Sequence, residues 1–305
     1  MNDTAIVDFE AIRKRFPGAV ESTYMNTAAR GLLMRDSRAA IDTMLDARMH
    51  EGGDKPAMFD AVEGARSDFA RLINAGAEEV AITKNVSEGL NAIIAAIEWR
   101  PGDNAVLCLD LEHPNNVYPW RHAARRFGVE LRVISAGDGV MPVDQMISAI
   151  DGNTRAVTLS SVTFAPGFRS DMAAVGRVCR EHDALFLVDG VQSVGVLKTD
   201  VAAEYIDAMA VSTQKGLLGL YGMGFLYCRN DWANRLTPAY LARFGVDFGE
   251  GAHEAALGGD DWKLMPGARR FDLGNYNFIA AAAVRPPLKL MLDIGPDQGE
   301  ARGVS

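Results

Sequence analysis

The chain has 305 residues, of which 48% are hydrophobic, so it is long enough for one large domain with a smaller satellite, or for two domains. Its formal net charge of -9 argues against nucleic acid or an anionic membrane as its main partner, because phosphate groups attract a basic face. No apolar run reaches the roughly 18 residues that would suggest a membrane span. We therefore expect a small-molecule ligand.

The beginning of the chain and its cysteines bear on location. The stretch MNDTAIVDFEAIRKRF mixes acidic, basic and apolar side chains, so it lacks the charged-then-apolar order of a secretory signal. Cys108, Cys179 and Cys228 are widely spaced and match neither a disulfide framework nor a metal or redox pair. We expect a cytoplasmic protein without a metal site.

Short apolar runs alternate with segments of helical periodicity from about residue 80 to residue 230. This order predicts an α/β fold with a mostly parallel sheet and helices on both faces. The predicted strands are 104–110, 130–135, 155–162, 184–190, 207–212 and 222–229. The predicted helices are 87–99, capped by Ser87, and 119–127, 143–150 and 171–182. The Gly- and Ala-rich segment 247–261 is interpreted as a surface excursion.

Polar residues stand at the ends of four predicted strands. They are Glu112 and His113 after 104–110, Thr163 after 155–162, Asp189 and Gln192 at the end of 184–190, and Ser212 to Lys215 at the end of 207–212. Ligands of such sheets bind beyond the carboxyl ends of the strands. These side chains are therefore expected to share one rim.

An amine and a buried carboxylate at one rim suit an aromatic aldehyde cofactor with a phosphate and a ring nitrogen. The amine of Lys215 can form an imine with the aldehyde, and Asp189 can hold the ring nitrogen protonated. Ser87 offers a hydroxyl at a predicted helix start, where phosphate binds readily. His113 can lie flat against the ring, and Gln192 can reach the ring hydroxyl.

Each of these residues, taken alone, has a plainer interpretation. A lysine after a strand is usually solvated, and an Asp-Gly pair such as Asp189-Gly190 often forms an ordinary turn. Ser87 is by default a helix cap, and His113 before Pro114 is typical of a surface loop. Only the order and spacing of these residues along the chain favour a cofactor site.

Seven segments of the chain resemble the class V aminotransferase family. This family comprises pyridoxal-phosphate enzymes of fold type I and includes cysteine desulfurases and isopenicillin N epimerase-like proteins. The segments are YMNTAARGLL (24–33), ITKNVSEGLN (82–91), EHPNNVYPW (112–120), SSVTFAPGFRSD (160–171), LFLVDGVQSVG (185–195), VSTQKGLLGLYGMGFLYCR (211–229) and RRFDLGNYN (269–277). Together they extend over nearly the whole chain.

The resemblance implies a pyridoxal 5'-phosphate site with three catalytic residues. Lys215 would be the Schiff-base lysine that also carries the substrate α-proton, Asp189 would pair with the ring nitrogen, and His113 would stack on the ring. The further cofactor-binding residues that it implies are Gln192, Val86, Ser87, Ser212, Thr163 and Asn275. The substrate-side residues that it implies are Asn26, Ala28 and Arg30.

The resemblance also implies partners. The substrate would be a small amino acid molecule. Asn275 stands where family members often place a phosphate ligand that reaches into the neighbouring subunit. A homodimer with the site near the subunit interface is therefore implied.

Two positions depart from the family pattern. Gln214 precedes the lysine where the family usually has histidine, which affects a phosphate contact. Phe164 stands close to the position of an asparagine in the desulfurases. The segment around Phe164 is more similar to the epimerase-like branch and so favours that branch over the desulfurases.

The family continues through a long helix into a C-terminal small domain, whereas this sequence stops. We expect a segment 1–50 that contributes to the substrate side and the small domain, a large cofactor-binding domain over 51–285, and a truncated start of the small domain over 286–305. Pro286 and Pro287 are predicted to interrupt the helix, because a proline in a helix interior costs about 3 kcal/mol. The resemblance leaves Arg30 and Arg169 as fallback binders of the substrate carboxylate.

Three functions stay open. The first is a pyridoxal-phosphate enzyme that acts at the α-carbon of an amino acid, aminotransferase- or epimerase-like, with a carbon–sulfur lyase of the cysteine desulfurase or selenocysteine lyase kind as its alternative. The second is a truncated, catalytically silent module that binds the cofactor or dimerises. The third, a nicotinamide-dependent dehydrogenase, is disfavoured because no G-x-G-x-x-G turn follows the first strand.

Overall fold

A seven-stranded sheet forms the centre of the molecule in the computed structural model, which describes residues 7–249, 257 and 260–303. The strands of this sheet are β1 Val80–Thr83, β2 Asn104–Leu107, β3 Glu130–Val133, β4 Thr154–Ser160, β5 Leu185–Asp189, β6 Ala208–Ser212 and β7 Gly224–Cys228. A small hairpin consists of β8 Val246–Asp247 and β9 Lys263–Leu264.

Helices surround the sheet. Those in the described part are α1 Phe9–Arg13, α2 Pro17–Glu21, α3 Arg35–Glu51, α4 Lys55–Leu72, α5 Val86–Ala96, α6 Pro114–Phe127, α7 Val143–Ser148, α8 Met172–Glu181, α9 Asn230–Arg235, α10 Phe278–Ile294 and α11 Pro296–Gly303. Short 3-10 turns lie at Ala77–Glu79, Arg243–Gly245 and Gly267–Phe271. None of these described helices is long and apolar enough to cross a membrane.

The strand order across the sheet is β1-β7-β6-β5-β4-β2-β3. Neighbours from β6 to β3 run parallel, and β7 runs antiparallel to both β6 and β1. The mostly parallel sheet predicted from the sequence is therefore confirmed. Because β2, β4, β5 and β6 point the same way, their carboxyl ends meet at one edge.

The core consists of two apolar layers, one on each face of the sheet. In β5, Phe186 and Val188 pack on the side of α4, α8 and α10, whereas Leu185 and Leu187 pack on the side of α5 and α6. Successive side chains of a strand point to opposite faces, so every residue of a doubly covered strand is apolar. This explains why β5, β6 and β7 were readable from the sequence, whereas β3 lies at the edge of the sheet and is partly exposed.

The start of α5 differs from the prediction. Asn85, not Ser87, caps the helix, because its side chain accepts a hydrogen bond from the backbone N–H of Glu88 at 3.0 Å. Ser87 lies inside the first turn. Its hydroxyl is consequently available for something other than capping.

The helix predicted over 119–127 begins earlier. It starts at Pro114, which suits the first helical position because proline has no N–H to leave unpaired there. His113 is the residue before it and caps α6 with its side chain, so it does not belong to a loose surface loop. Pro119 lies within the helix without ending it.

The prediction that Pro286 and Pro287 interrupt a helix is wrong. α10 continues from Phe278 to Ile294 through both prolines. Its run of alanines is buried, and the helix packs along α3 and α4. Tertiary packing therefore outweighs the two backbone hydrogen bonds that the prolines lack.

Some regions were not assigned from the sequence. α3, α4 and β1 form regular elements that were not predicted, although Gly52 ends α3 and Asp54 caps α4. Most of the predicted surface excursion over 247–261 lies outside the described residues.

Candidate active site

A cavity of about 290 Å³ lies where the carboxyl ends of β4, β5 and β6 meet the starts of α5 and α6. Seven of the predicted site residues line it, namely Val86, Ser87, His113, Asp189, Gln192, Ser212 and Lys215. The structure thus brings together residues that are up to 129 positions apart in the sequence, from Val86 to Lys215. A larger cavity, of about 560 Å³, lies between α3, α4 and α10 and is mainly apolar.

Lys215 lies in the turn that follows β6 and is half-buried. Among the described residues, its amine has no hydrogen bond or ion pair. Burial lowers the pKa of Lys215, and the nearby charge of Asp189 opposes this shift. A partly desolvated lysine holds a larger fraction of neutral, nucleophilic amine than a solvated one.

The backbone around Lys215 is held by the N-terminal segment. The N–H of Gly31 donates to the carbonyl of Gln214 at 2.8 Å. A Cβ on Gly31 would lie 2.5 Å from the carbonyl oxygen of Lys215, so only glycine fits this close approach. Residues near position 30 therefore form one wall beside the lysine.

Asp189 ends β5, and only 7% of its surface is exposed. Its Oδ1 accepts a hydrogen bond from the N–H of Val191 at 3.0 Å, and its Oδ2 accepts none from the described residues. Burial and then the charge of Glu112 raise the pKa of Asp189 to about 7. The carboxylate consequently has an open oxygen in the cavity and a high affinity for a proton.

His113 presents a neutral imidazole to the cavity. Its Nδ1 accepts a hydrogen bond from the N–H of Asn115 at 3.1 Å, which leaves the ring proton on Nε2. Burial and then the charge of Lys215 lower the pKa of His113. Phe164 packs edge-on against the imidazole, with 4.8 Å between the ring centroids.

The start of α5 forms the opposite end of the cavity. The N–H of Val86 donates to the hydroxyl of Ser212 at 2.8 Å, so these two predicted phosphate ligands bind each other. The N–H and hydroxyl of Ser87 make no hydrogen bond with the described residues. Together with the helix N-terminus, these two free donors are suited to an anion.

Five other predicted residues do not line the cavity in the described part. Thr163 is buried and bonds to Phe168, whose N–H donates to its hydroxyl at 2.8 Å. Asn275 lines a separate cavity of about 190 Å³ beside Lys84. The remaining three are Asn26, Ala28 and Arg30, whose segment contributes Ala29 to the cavity wall.

Two predicted ligands are already engaged within the chain. The side-chain N–H of Gln192 donates to the carbonyl of Ala28 at 3.2 Å. The guanidinium of Arg169, a fallback carboxylate binder, pairs with Glu300 at 2.6 Å. Within the described part, no arginine lines the cavity.

Several cavity residues were not predicted as site residues. They include Asn115, Ser160, Phe164 and Tyr221. Phe164 and Tyr221 are 54% and 62% exposed, although large aromatic side chains are usually buried. Both lie in turns near strand ends and within two segments that resemble the family, 160–171 and 211–229, and these were the signals in the sequence that could have identified them.

The sequence matches the family model of the class-V aminotransferases over residues 45–301. Because this match extends over most of the chain, the protein belongs to the class-V aminotransferase family. The expected family is therefore confirmed.

Curated relatives carry two kinds of name. The chain is 33% identical over 235 residues to a probable cysteine desulfurase of Methanothermobacter thermautotrophicus, which covers 77% of this chain and 56% of the relative. It is 29% identical over 287 residues to an uncharacterized aminotransferase, YcbU, of Bacillus subtilis, with 94% of this chain and 74% of the relative covered. The chain thus spans little more than half of the archaeal relative.

Solved structures share the fold. The cysteine desulfurase of Thermococcus onnurineus NA1 matches with a TM-score of 0.81 at 24% identity, over 94% of this chain and 72% of that one. A variant of the cystine C-S lyase C-DES, with glycine covalently linked to its PLP cofactor, matches with a TM-score of 0.84 at 25% identity, over 96% and 76%. The fold is fold type I of the pyridoxal-phosphate enzymes, as predicted.

Proposed function

We propose that this chain binds pyridoxal 5'-phosphate through Lys215 and acts at the α-carbon of an amino acid. The observation that carries the proposal is the half-buried amine of Lys215, which has no partner among the described residues, in one cavity with the open carboxylate of Asp189. The names of the matching structures support it, because C-DES carries this cofactor.

The residues of the cavity fit the cofactor. Lys215 would hold its aldehyde carbon, Asp189 its ring nitrogen, and His113 one face of its ring. The free N–H and hydroxyl of Ser87 would bind its phosphate. When bound, the cofactor supplies an electron sink for the electron pair left by a broken bond at the α-carbon.

The side chains supply proton transfer and exclusion of water. The lowered pKa of Lys215 increases the share of neutral amine, which can act as the base for the α-proton. The neutral ring of His113 covers the site without adding positive charge. Phe164, edge-on to His113, shields that side from water.

The reaction that we favour is aminotransferase- or epimerase-like. A carbon–sulfur lyase is the second candidate, because C-DES forms a complex with its product, cysteine persulfide. For such a lyase, none of the three cysteines of this sequence is a suitable acceptor of sulfur. Cys108, Cys179 and Cys228 are all buried, and burial raises the pKa of each thiol.

Proton exchange at the α-carbon tests the proposal. The chain is loaded with pyridoxal phosphate and incubated with single amino acids in D₂O, and the α-proton signal is followed by NMR. We expect loss of that signal with at least one amino acid. The co-product then identifies the reaction: a keto acid indicates transamination, a mirror-image amino acid indicates epimerisation, and sulfide or persulfide indicates a lyase.

A silent module is the alternative of another class. It predicts that the chain retains the cofactor but exchanges no α-proton with any amino acid. Exchange that disappears in Lys215→Ala would exclude it. Retention without exchange would support it over the enzyme.

The proposal includes a homodimer with its site near the subunit interface. The apolar cavity between α3, α4 and α10 supports it, because an apolar surface of this kind suits a partner subunit. Asn275 lies close to that surface, next to Tyr276 and Asn277, which line the apolar cavity.

Two further expectations remain part of the proposal. A cytoplasmic location is supported by three free cysteines, since oxidising compartments favour paired ones.

The proposed division of the chain is into residues 1–50, 51–285 and 286–305. The first segment is supported by the contact of Gly31 with the backbone near Lys215. The boundary proposed at 285/286 falls inside α10.

A further inference from the structure

Glu112 is a buried carboxylate beside the cavity to which the proposed function gives no role. It is 7% exposed and lies directly before His113 in the chain. Its Oε1 accepts the backbone N–H of Ser160 at 2.6 Å, and its Oε2 accepts the amide of Asn116 at 2.9 Å. The hydroxyl of Ser160 also points to Oε2.

The hydrogen bonds of Glu112 favour its ionised form. Burial raises the pKa of Glu112 above its ordinary value, and the bonds from Ser160 and Asn116 offset part of that shift. The Asn116 amide must present its N–H groups to Glu112, because its oxygen already accepts the indole N–H of Trp120. A carboxylate that receives three donors and offers no proton in return is stabilised as the anion.

Glu112 also joins the two elements that carry the imidazole and the carboxylate of the site. His113 follows it at the start of α6, and Ser160 ends β4 directly opposite Asp189 in the sheet register. The charged groups that act on Asp189 are Glu112 and Lys215, with opposite signs. The negative charge of Glu112 therefore reaches Asp189 across one strand.

We propose that Glu112 is a positioning residue of this site, which fixes His113 at the start of α6 and acts as a fixed negative charge that holds a proton at Asp189. The inference rests on the proposed function, because the proton at Asp189 matters for a bound ring nitrogen. It assigns two tasks to one side chain. The first depends on its hydrogen bonds and the second on its charge.

Replacement by glutamine separates the charge from the shape. Glu112→Gln keeps an oxygen for the N–H of Ser160 but removes the negative charge. We expect Asp189 to release its proton at a lower pH in this variant. The measurement is a ¹³C NMR titration of the full chain labelled at aspartate carboxyl carbons, with the Asp189 signal assigned from Asp189→Asn. An unchanged Asp189 titration would overturn the inference.

Two variants serve as controls. Glu112→Asp retains the charge, so the Asp189 titration should stay near that of the wild type. Asp207→Asn removes another buried carboxylate, which accepts the N–H of Phe186 at 3.0 Å at the opposite end of the sheet. It should also leave Asp189 unchanged. A shift as large as that of Glu112→Gln in either control would contradict the assignment.

Cofactor binding gives the second readout. The quantity compared is the ratio of the pyridoxal phosphate dissociation constants of Glu112→Gln and wild type. We expect this ratio to be near one at about pH 6. It should rise to about tenfold at about pH 8.5, which corresponds to a shift of about one unit in the proton equilibrium. A constant ratio across this pH range would indicate a merely structural role. Wild-type protein that binds no cofactor would refute the proposed function instead and leave the NMR test intact.

Should Glu112→Gln fail to fold, the wild-type chain provides the test. Glutamate-labelled protein should show Glu112 ionised throughout the pH range in which Asp189 titrates. A protonated Glu112 in that range would overturn the inference, because it would carry no charge to act on Asp189.

Discussion

Asp189 shows how a single residue can favour binding at the expense of stability. Its carboxylate is buried at the end of β5 with only one hydrogen bond from the described residues. In the unfolded chain it ionises near its ordinary pKa, about 4, whereas burial raises the pKa to about 7 in the folded chain. An ionised Asp189 is therefore stabilised more in the unfolded state than in the folded one.

The pH dependence of this cost has a definite sign. Below about pH 4 the group is protonated in both states and contributes nothing. Between about pH 4 and pH 7 only the unfolded state loses its proton, so the free energy of unfolding falls as pH rises. Above about pH 7 the full cost is present.

Asp189→Asn should remove that cost. We expect the cofactor-free variant to have a free energy of unfolding higher by about 2–4 kcal/mol at pH 8, and nearly unchanged at about pH 4. Urea unfolding at the two pH values measures this difference. The variant should also lose cofactor retention. Equal stability of variant and wild type at pH 8 would contradict the raised pKa.

Arg66 and Asp272 connect three elements through a buried ion pair. Arg66 of α4 donates to Asp272 at 2.7 Å, and both side chains are 1% exposed. Asp272 also accepts the N–H of Ile82 in β1 at 2.7 Å and the hydroxyl of Tyr276 at 2.9 Å. This network fixes the turn that contains Asn275.

Asp272→Asn should destabilise the fold strongly. The substitution leaves the guanidinium of Arg66 buried without its full counter-charge, which typically costs about 3–5 kcal/mol. Urea denaturation of the variant and wild type measures the loss. Glu63→Gln is the matched control, since Glu63 also pairs with Arg66 but is 44% exposed. Its loss should stay below about 1 kcal/mol. Similar losses in both variants would contradict this account.

The elements also show what the sequence could predict. Strands such as β5 and β6 were predictable because they are apolar on both faces and end in polar residues. The caps were not, because Asn85 and Ser87 are both good capping residues and only the backbone decides between them. The continuity of α10 through Pro286 depends on packing against α3 and α4, which no local pattern shows.

The candidate site was likewise predictable where its residues follow strands and not where they lie in turns. Lys215, Asp189 and His113 follow strands that the sequence shows plainly. Phe164 and Tyr221 come from turns whose path depends on the folded chain, so periodicity gives no indication of them. The mutual hydrogen bond of Val86 and Ser212 likewise depends on the approach of α5 to β6.

At the scale of the whole molecule, the apolar cavity between α3, α4 and α10 is the surface that the proposed homodimer uses. Leu45 lines it and is 41% exposed. Leu45→Asp should therefore raise the dimer dissociation constant at least tenfold, as measured by analytical ultracentrifugation. This change corresponds to a loss of about 1.4 kcal/mol of binding free energy. Val140→Asp, at a similarly exposed residue outside the cavity, should leave it unchanged. A monomeric wild type would refute the interface.

The visible absorption spectrum tests the central claim most directly. The purified chain and Lys215→Ala are each mixed with pyridoxal phosphate, dialysed, treated with borohydride and analysed by mass spectrometry of their peptides. We predict that only the wild type keeps a visible cofactor band and that borohydride attaches the cofactor to the peptide with Lys215. Equal retention by both proteins, or attachment at another lysine, would contradict the assignment of Lys215.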